Sequence, residues 1–187
     1  MTVKESSVGE QQAIESFLYS RSEEAFCALF KALYGRVRRY FLLRGADAMT
    51  AEELAQNVLL AVYRHAGEFP DQPSFRGWLF TIARNELLQH WRRERARIQT
   101  VELEPLRDVL VESNVAAGTQ WRLEFEAWLR VLDPAERELA WLRFVEGLSH
   151  AELAAVFEVP PGTIKSRLFY LKQKLGRSAG LALPGKK

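Results

Sequence analysis

Residues Leu148–Leu175, LSHAELAAVFEVPPGTIKSRLFYLKQKL, hold two helical patterns separated by a break only a few residues long. Leu148, Leu153, Ala154 and Phe157 recur at helical spacing. Pro160 cannot continue that helix, because proline lacks the amide donor and its ring clashes with the preceding turn. Pro161 is suited to the first turn of a second helix, in which Ile164, Leu168, Leu171 and Leu175 line one face. The spacing predicts a helix-turn-helix. Half a revolution away lie Gly162, Ser166, Phe169, Tyr170 and Gln173. Lys165 and Lys172 flank them on one side, with Thr163, Arg167 and Lys174 nearer the other. From Pro160 to Arg177 there are five Lys or Arg residues and no carboxylate, the electrostatic footprint of a phosphate-backbone ligand. A solvated basic helix would carry such charge too; the proline-broken helix pair is what favours duplex DNA.

Upstream of this pair, Trp121, Phe125, Trp128, Leu129 and Leu132 form a further helical stripe. Asp133-Pro134 supplies an N-cap and a first-turn proline, and Leu139, Leu142 and Val145 mark the helix that Gly147 ends. A bundle of about four helices is expected over residues 120–187.

The N-terminal half reads as a second helical module. Ile14, Phe17, Leu18 and Tyr19 suggest a short helix. From Glu23, the residues Phe26, Leu29, Phe30, Leu33, Val37, Tyr40 and Phe41 stripe a long core helix that Gly45 can end. Thr50 and Glu53 have capping-box spacing before AEELAQNVLLAVYRHAGEF, whose buried face is expected to hold Leu54, Val58, Ala61 and His65. The opposite face mixes Glu52, Glu53 and Gln56 with Leu59, Leu60 and Tyr63. Such a face is either a protein-partner surface or is covered by another helix of the same module. GEFPDQPS, residues 67–74, has turn chemistry and includes Phe69. In SFRGWLFTIARNELLQHWRRERAR, aromatics interleave with arginines, a combination suited to unpaired bases, although Phe75, Trp78, Leu79 and Ile82 share one face and read as core. Arg84 and Asn85 are the better functional candidates there.

The chain has 187 residues, 48% of them hydrophobic, and a net charge of +2. That suffices for two small domains. The charge is segregated: residues 76–97 hold six arginines against two glutamates, and residues 98–126 hold six carboxylates against two arginines. Residues 98–119 therefore read as an acidic linker with little affinity for phosphate. With one cysteine, Cys27, and the scattered histidines His65, His90 and His150, no disulfide or thiolate metal cluster is expected; Cys27 reads as a small buried thiol. No apolar run spans a bilayer and the N-terminus lacks a signal-peptide core, so the expected compartment is the cytoplasm. The tail after Leu175 reads as too short for an added regulatory domain. No nucleophile with a base, paired-carboxylate site or phosphate loop stands out, so neither enzyme activity nor a cofactor is expected.

Three stretches in this order, AEELAQNVLLAVYR, SFRGWLFTIARNELLQHWRR and LDPAERELAWLRFVEGLSHAELAAVFEVPPGTIKSRL, make the chain resemble a bacterial RNA polymerase sigma factor of the extracytoplasmic-function group. The resemblance implies an all-α chain of two helical domains. Residues 1–97 would be sigma region 2, 98–119 the linker and 120–187 sigma region 4. It further implies that Glu53, Gln56, Asn57 and Leu60 meet core RNA polymerase, where the family usually has a carboxylate at the position of Asn57. Phe69, Asp71, Arg84, Asn85, Arg92 and Arg93 would engage the melted minus-ten strand of promoter DNA. Thr163, Lys165, Ser166, Arg167, Phe169, Tyr170 and Lys172 would read the duplex minus-thirty-five element, where the family often has arginine in place of Tyr170. An anti-sigma factor is an implied partner. The alternative is a stand-alone helix-turn-helix regulator of duplex DNA, which leaves the N-terminal module without a task; an RNA-binding or scaffolding protein explains still less.

Overall fold

The computed structural model describes residues 3–71, 74–98 and 131–179. Among these the architecture is wholly helical. The chain divides into two compact units, Met1–Leu110 and Val111–Lys187. Of the linker expected at 98–119, Ile98 is the last residue of the helix Phe75–Ile98; residues 99–119 and the stripe Trp121, Phe125, Trp128 and Leu129 lie outside the described residues.

The first unit is built from α1 (Val3–Ser20), α2 (Glu23–Leu43), α3 (Ala48–His65) and α4 (Phe75–Ile98), with a 3-10 turn at Ala66–Asp71 between the last two. Helix α3 packs on both α2 and α4, burying Leu29, Leu33, Val37, Tyr40 and Phe41 of α2, Leu54, Val58, Leu59 and Val62 of α3, and Leu79, Phe80, Ala83 and Leu87 of α4; Tyr40 meets Phe80 with ring centroids 5.5 Å apart. Helix α2 starts at the Ser22 N-cap and ends at Gly45, whose φ of 89° is open to glycine at little cost. Its amide then reaches back to the Leu42 carbonyl.

Helix α1 docks through Ile14 and Phe17, both buried, and through one buried carboxylate. Glu10, 4% exposed, receives Arg36 of α2 on Oε2 at 2.8 Å and Arg76 of α4 on Oε1 at 2.9 Å. A single acidic side chain thus ties three helices together. With a guanidinium on each oxygen, its desolvation is offset.

Four sequence expectations are corrected here. Helix α3 is capped by Asp47, which accepts from the Thr50 amide at 2.9 Å and the Thr50 hydroxyl at 2.7 Å, so Thr50 is a recipient of the cap and not its source. His65 is exposed and not buried, because the buried arc of α3 runs through Ala51, Leu54, Ala55, Val58, Leu59 and Val62. Cys27 is exposed; Ala25 and Leu29 take the inward positions around it. Tyr19 points to solvent while Phe17 is core.

The second unit contains α5 (Pro134–Ala140), α6 (His150–Phe157) and α7 (Pro161–Ala179). Asp133 caps α5 in a reciprocal box with Glu136, and Pro134 occupies its first turn. The helix runs on into a π-helical turn, Trp141–Val145, in which the Glu146 amide donates to the Trp141 carbonyl at 3.1 Å. Gly147, at φ 75°, ends it. Ser149 and Glu152 form a second capping box for α6, which stops at Glu158 in the left-handed region. Ile164, Leu168, Leu171 and Leu175 of α7 are buried with Leu142, Leu148, Leu153, Val156 and Phe157. Lys174 bridges α7 to Glu136 of α5.

Candidate nucleic-acid interface

The helix-turn-helix presents one face of α7 to solvent because its opposite face is consumed by the core. Lys165, Ser166, Arg167 and Lys172 are exposed, and Thr163 is half-buried at the helix start. Phe169 and Tyr170 are 57% and 67% exposed, with ring centroids 5.8 Å apart and planes at 74°. The Ser166 hydroxyl donates to the Thr163 carbonyl at 2.9 Å, which leaves its oxygen lone pairs as acceptors for an outside donor.

His150, missed as a candidate in the sequence, reports the potential of this surface. Partial burial holds its imidazole below the ordinary histidine value, and the positive charges of Arg143, Lys165 and Lys172 push in the same direction. Three cations from two elements, the π-helical turn and α7, therefore contribute to one field that disfavours a further positive charge and attracts phosphate. The signal available in the sequence was only a histidine beside the Ser149 cap, too common a pattern to single out.

In the first unit, Phe69 of the 3-10 turn rests on Phe75 and Trp78, with centroids 5.6 and 5.7 Å away. Phe75 and Trp78 are buried, so Phe69 is the half-exposed member of that aromatic trio. Asp71 is the last residue of the turn. Along α4, Asn85, Arg92 and Arg93 are exposed and Arg84 is half-buried; Arg93 lies 3.5 Å from Glu86. Trp91 is half-buried beneath the Arg44 guanidinium, 5.0 Å from the ring centre, a cation–π contact that occupies one ring face.

A third surface runs along α3. Glu53, Gln56 and Leu60 are exposed and Asn57 is half-buried. Leu60 is 42% and Tyr63 45% exposed, whereas Leu59 is 0%. The two readings of this mixed face divide between neighbouring residues: Leu59 is covered by its own module and Leu60 is not. Tyr63 leans on Phe26 of α2 at 4.8 Å, and Phe30 stacks on Tyr34 at 5.2 Å, so half-buried aromatics of α2 border the stripe. Among the described residues no group of His, Cys, Asp and Glu is arranged to hold a metal ion, and no helix is long and apolar enough to cross a membrane.

Two helical units, one carrying a helix-turn-helix and the other a basic aromatic helix, define the architecture of a DNA-binding protein. The family model Sigma-70 region 2 matches residues 29–97 and Sigma-70, region 4 matches residues 122–175. The ECF RNA polymerase sigma factor BldN of Streptomyces coelicolor is 34% identical over 158 residues, covering 82% of this chain and 60% of that protein. RpoE of Cereibacter sphaeroides is 33% identical over 154 residues, covering 79% of this chain and 82% of RpoE. SigL of Mycobacterium tuberculosis is 30% identical over 164 residues, 83% of this chain and 92% of SigL. Among solved structures, the sigma factor RpoE from Bartonella quintana, in complex with the anti-sigma factor NepR, shares the fold with a TM-score of 0.64 at 24% identity, over 79% of this chain and 92% of RpoE. CnrH, solved with the cytosolic domain of CnrY, has a TM-score of 0.55 at 20% identity, over 90% of this chain and 95% of CnrH. The chain belongs to the extracytoplasmic-function RNA polymerase sigma factors. It is accordingly a transcription initiation factor, and the stand-alone regulator is not favoured.

Proposed function

We propose that this chain joins core RNA polymerase through Glu53, Gln56, Asn57 and Leu60, and reads the duplex minus-thirty-five element with Thr163, Lys165, Ser166, Arg167, Phe169, Tyr170 and Lys172. Phe69, Asp71, Arg84, Asn85, Arg92 and Arg93 then hold the melted minus-ten strand. The observation that carries this reading is α7: its inner stripe is fully spent on the core, and its outer stripe is cationic, aromatic and free of carboxylates. Lysine and arginine supply the sequence-independent phosphate affinity, and the groups between them reach base edges. Extruding a base costs a few kcal/mol; Phe69, held by Phe75 and Trp78, offers a preformed ring to offset it.

The assigned boundaries are 1–97 for region 2, 98–119 for the linker and 120–187 for region 4. Catalysis belongs to the polymerase, and the chain works in the cytoplasm. An anti-sigma factor is the proposed regulator, in keeping with the family and with the NepR complex of Bartonella quintana RpoE.

Promoter binding and run-off transcription, measured with the chain alone and with purified core polymerase, test the whole. Promoter-dependent transcripts are expected only with polymerase. Tight sequence-specific duplex binding by the chain alone, with no transcription when polymerase is added, refutes it. Within α7, Lys165→Ala is expected to weaken discrimination between promoter and random DNA, whereas Arg167→Ala lowers affinity for both.

A further inference from the structure

Six large hydrophobic side chains are exposed among the described residues, and Phe169 and Tyr170 are the two that are sequence neighbours on one helix face. Leaving two rings in water is unfavourable, so a ligand that covers them gains apolar contact. The surroundings choose the ligand. Lys165, Arg167 and Lys172 are exposed around the rings, and no carboxylate lies anywhere in Pro161–Ala179, a charge pattern complementary to a polyanion.

In the major groove of duplex DNA the thymine C5-methyl is the apolar group that distinguishes one base pair from another. Phe169 has no hydrogen-bonding atom and can discriminate bases only through such contact. Tyr170 offers a ring of the same kind, with a hydroxyl at its tip. The 5.8 Å between ring centroids is shorter than two base-pair rises of roughly 3.4 Å, so the pair can meet successive base pairs. At 74° between planes the rings are not stacked face to face on each other, and both are exposed, so each keeps apolar surface open to a methyl group.

Resting on the proposed role of α7 at the minus-thirty-five element, we infer that Phe169 and Tyr170 form a paired reader of thymine methyl groups, and that the element read by this chain carries adjacent thymines opposite the two rings. Lysine and arginine fix the register on the backbone, and the rings supply the base preference at that step.

The test uses the full chain with core polymerase. Templates randomised across the minus-thirty-five element are transcribed and the productive ones sequenced. Thymine is expected to be enriched at two neighbouring positions. Each enriched thymine is then replaced by deoxyuridine, which removes only the methyl group; initiation is expected to fall about three- to five-fold per methyl. With Phe169→Ala or Tyr170→Ala the deoxyuridine penalty at the matching position is expected to vanish, whereas Tyr170→Phe retains it. Both side chains are exposed, so thermal unfolding of the variants should match the parent. Productive promoters without paired thymines, or a deoxyuridine penalty that persists in both alanine variants, overturn the inference while leaving the sigma reading intact. A library from which no member is transcribed overturns the sigma reading itself.

Discussion

Leu59 and Leu60 are consecutive on α3, yet their environments predict opposite consequences for the same truncation. Leu59 is 0% exposed, at the packing of α3 on its neighbours, so Leu59→Ala loses the transfer term and opens a cavity. The expected cost is about 2–5 kcal/mol, a fall in Tm on the order of 10 °C or more for a domain of this size. Leu60 is 42% exposed, so Leu60→Ala should cost only about 1 kcal/mol or less. Its effect should appear in polymerase binding. An apolar side chain rimmed by Glu53 and Gln56 becomes fully covered if α3 docks there, and truncating a central anchor costs about 1–2 kcal/mol, roughly five- to thirty-fold in Kd. Thermal unfolding of the isolated chain and competition of labelled chain for core polymerase measure the two quantities. Leu60→Ala binding polymerase within about two-fold of the parent would refute the docking assignment. Equal Tm losses from the two variants would refute the division of the face itself.

Asp47→Ala removes the cap of α3 and is expected to cost about 1 kcal/mol. The Thr50 amide and then its hydroxyl hold the Asp47 carboxyl below the usual aspartate value, so its stabilisation is full above the unfolded aspartate pKa, near 3.8. It is lost as pH falls through the lower folded value; a ΔΔG by urea unfolding that persists in strong acid would contradict the cap. His150 should titrate below 6.5 in the free chain, and its pKa should rise on adding duplex promoter DNA as phosphates screen Arg143, Lys165 and Lys172; an NMR titration unmoved by DNA would place the phosphates elsewhere. In the free state the sign is that of a depressed base: the folded chain loses stability as pH drops from the unfolded histidine value through the folded one. Glu10→Gln leaves two guanidinium groups around a neutral amide and should cost about 1.5–3 kcal/mol, with faster amide exchange concentrated in α1; unchanged exchange there would mean that Ile14 and Phe17 alone dock the helix. Cys27 should react with a maleimide in the folded chain almost as fast as in the unfolded one, and protection beyond about tenfold would contradict its exposure.

The helix-turn-helix was legible because two rules act on the same residues: proline marks both the stop and the start, and Ile164, Leu168, Leu171 and Leu175 repeat at 3.6-residue spacing. The Asp133 cap with Pro134 was equally plain. Helix α3 was read less well for a physical reason. Asp47 and Thr50 each stand three residues ahead of a residue a cap can serve, and local pattern does not choose between overlapping caps. His65 went to the wrong side, and the cover of Leu59 stayed open between two readings, because the width of a buried arc depends on how many neighbours a helix packs against, which is a property of the assembled module. Cys27 follows the same logic on α2. The Glu10 bracket joins residues 66 positions apart at its longest span, so no local signal could announce it. At the proposed interfaces, the residues of α7 come together on one open face, while those along α4 divide between exposed Asn85, Arg92 and Arg93 and half-buried Arg84.

The π-helical turn at Trp141–Val145 holds one residue more than α-helical closure requires. An α-helix advances roughly 100° per residue, so residue count between the Asp133 cap and the Ser149 cap acts as an angular setting. Deleting one residue there would restore ordinary helical spacing and turn the chain leaving α5 by about that angle. Such a deletion would set this register against the buried Leu142, Leu168, Leu171 and Leu175 and the Lys174–Glu136 bridge, so its first effect is a loss of stability in the second unit. The extra residue of the π turn is thus part of how the second unit closes its core, and the seat of the DNA-reading helix depends on backbone register as well as on the side chains beneath it.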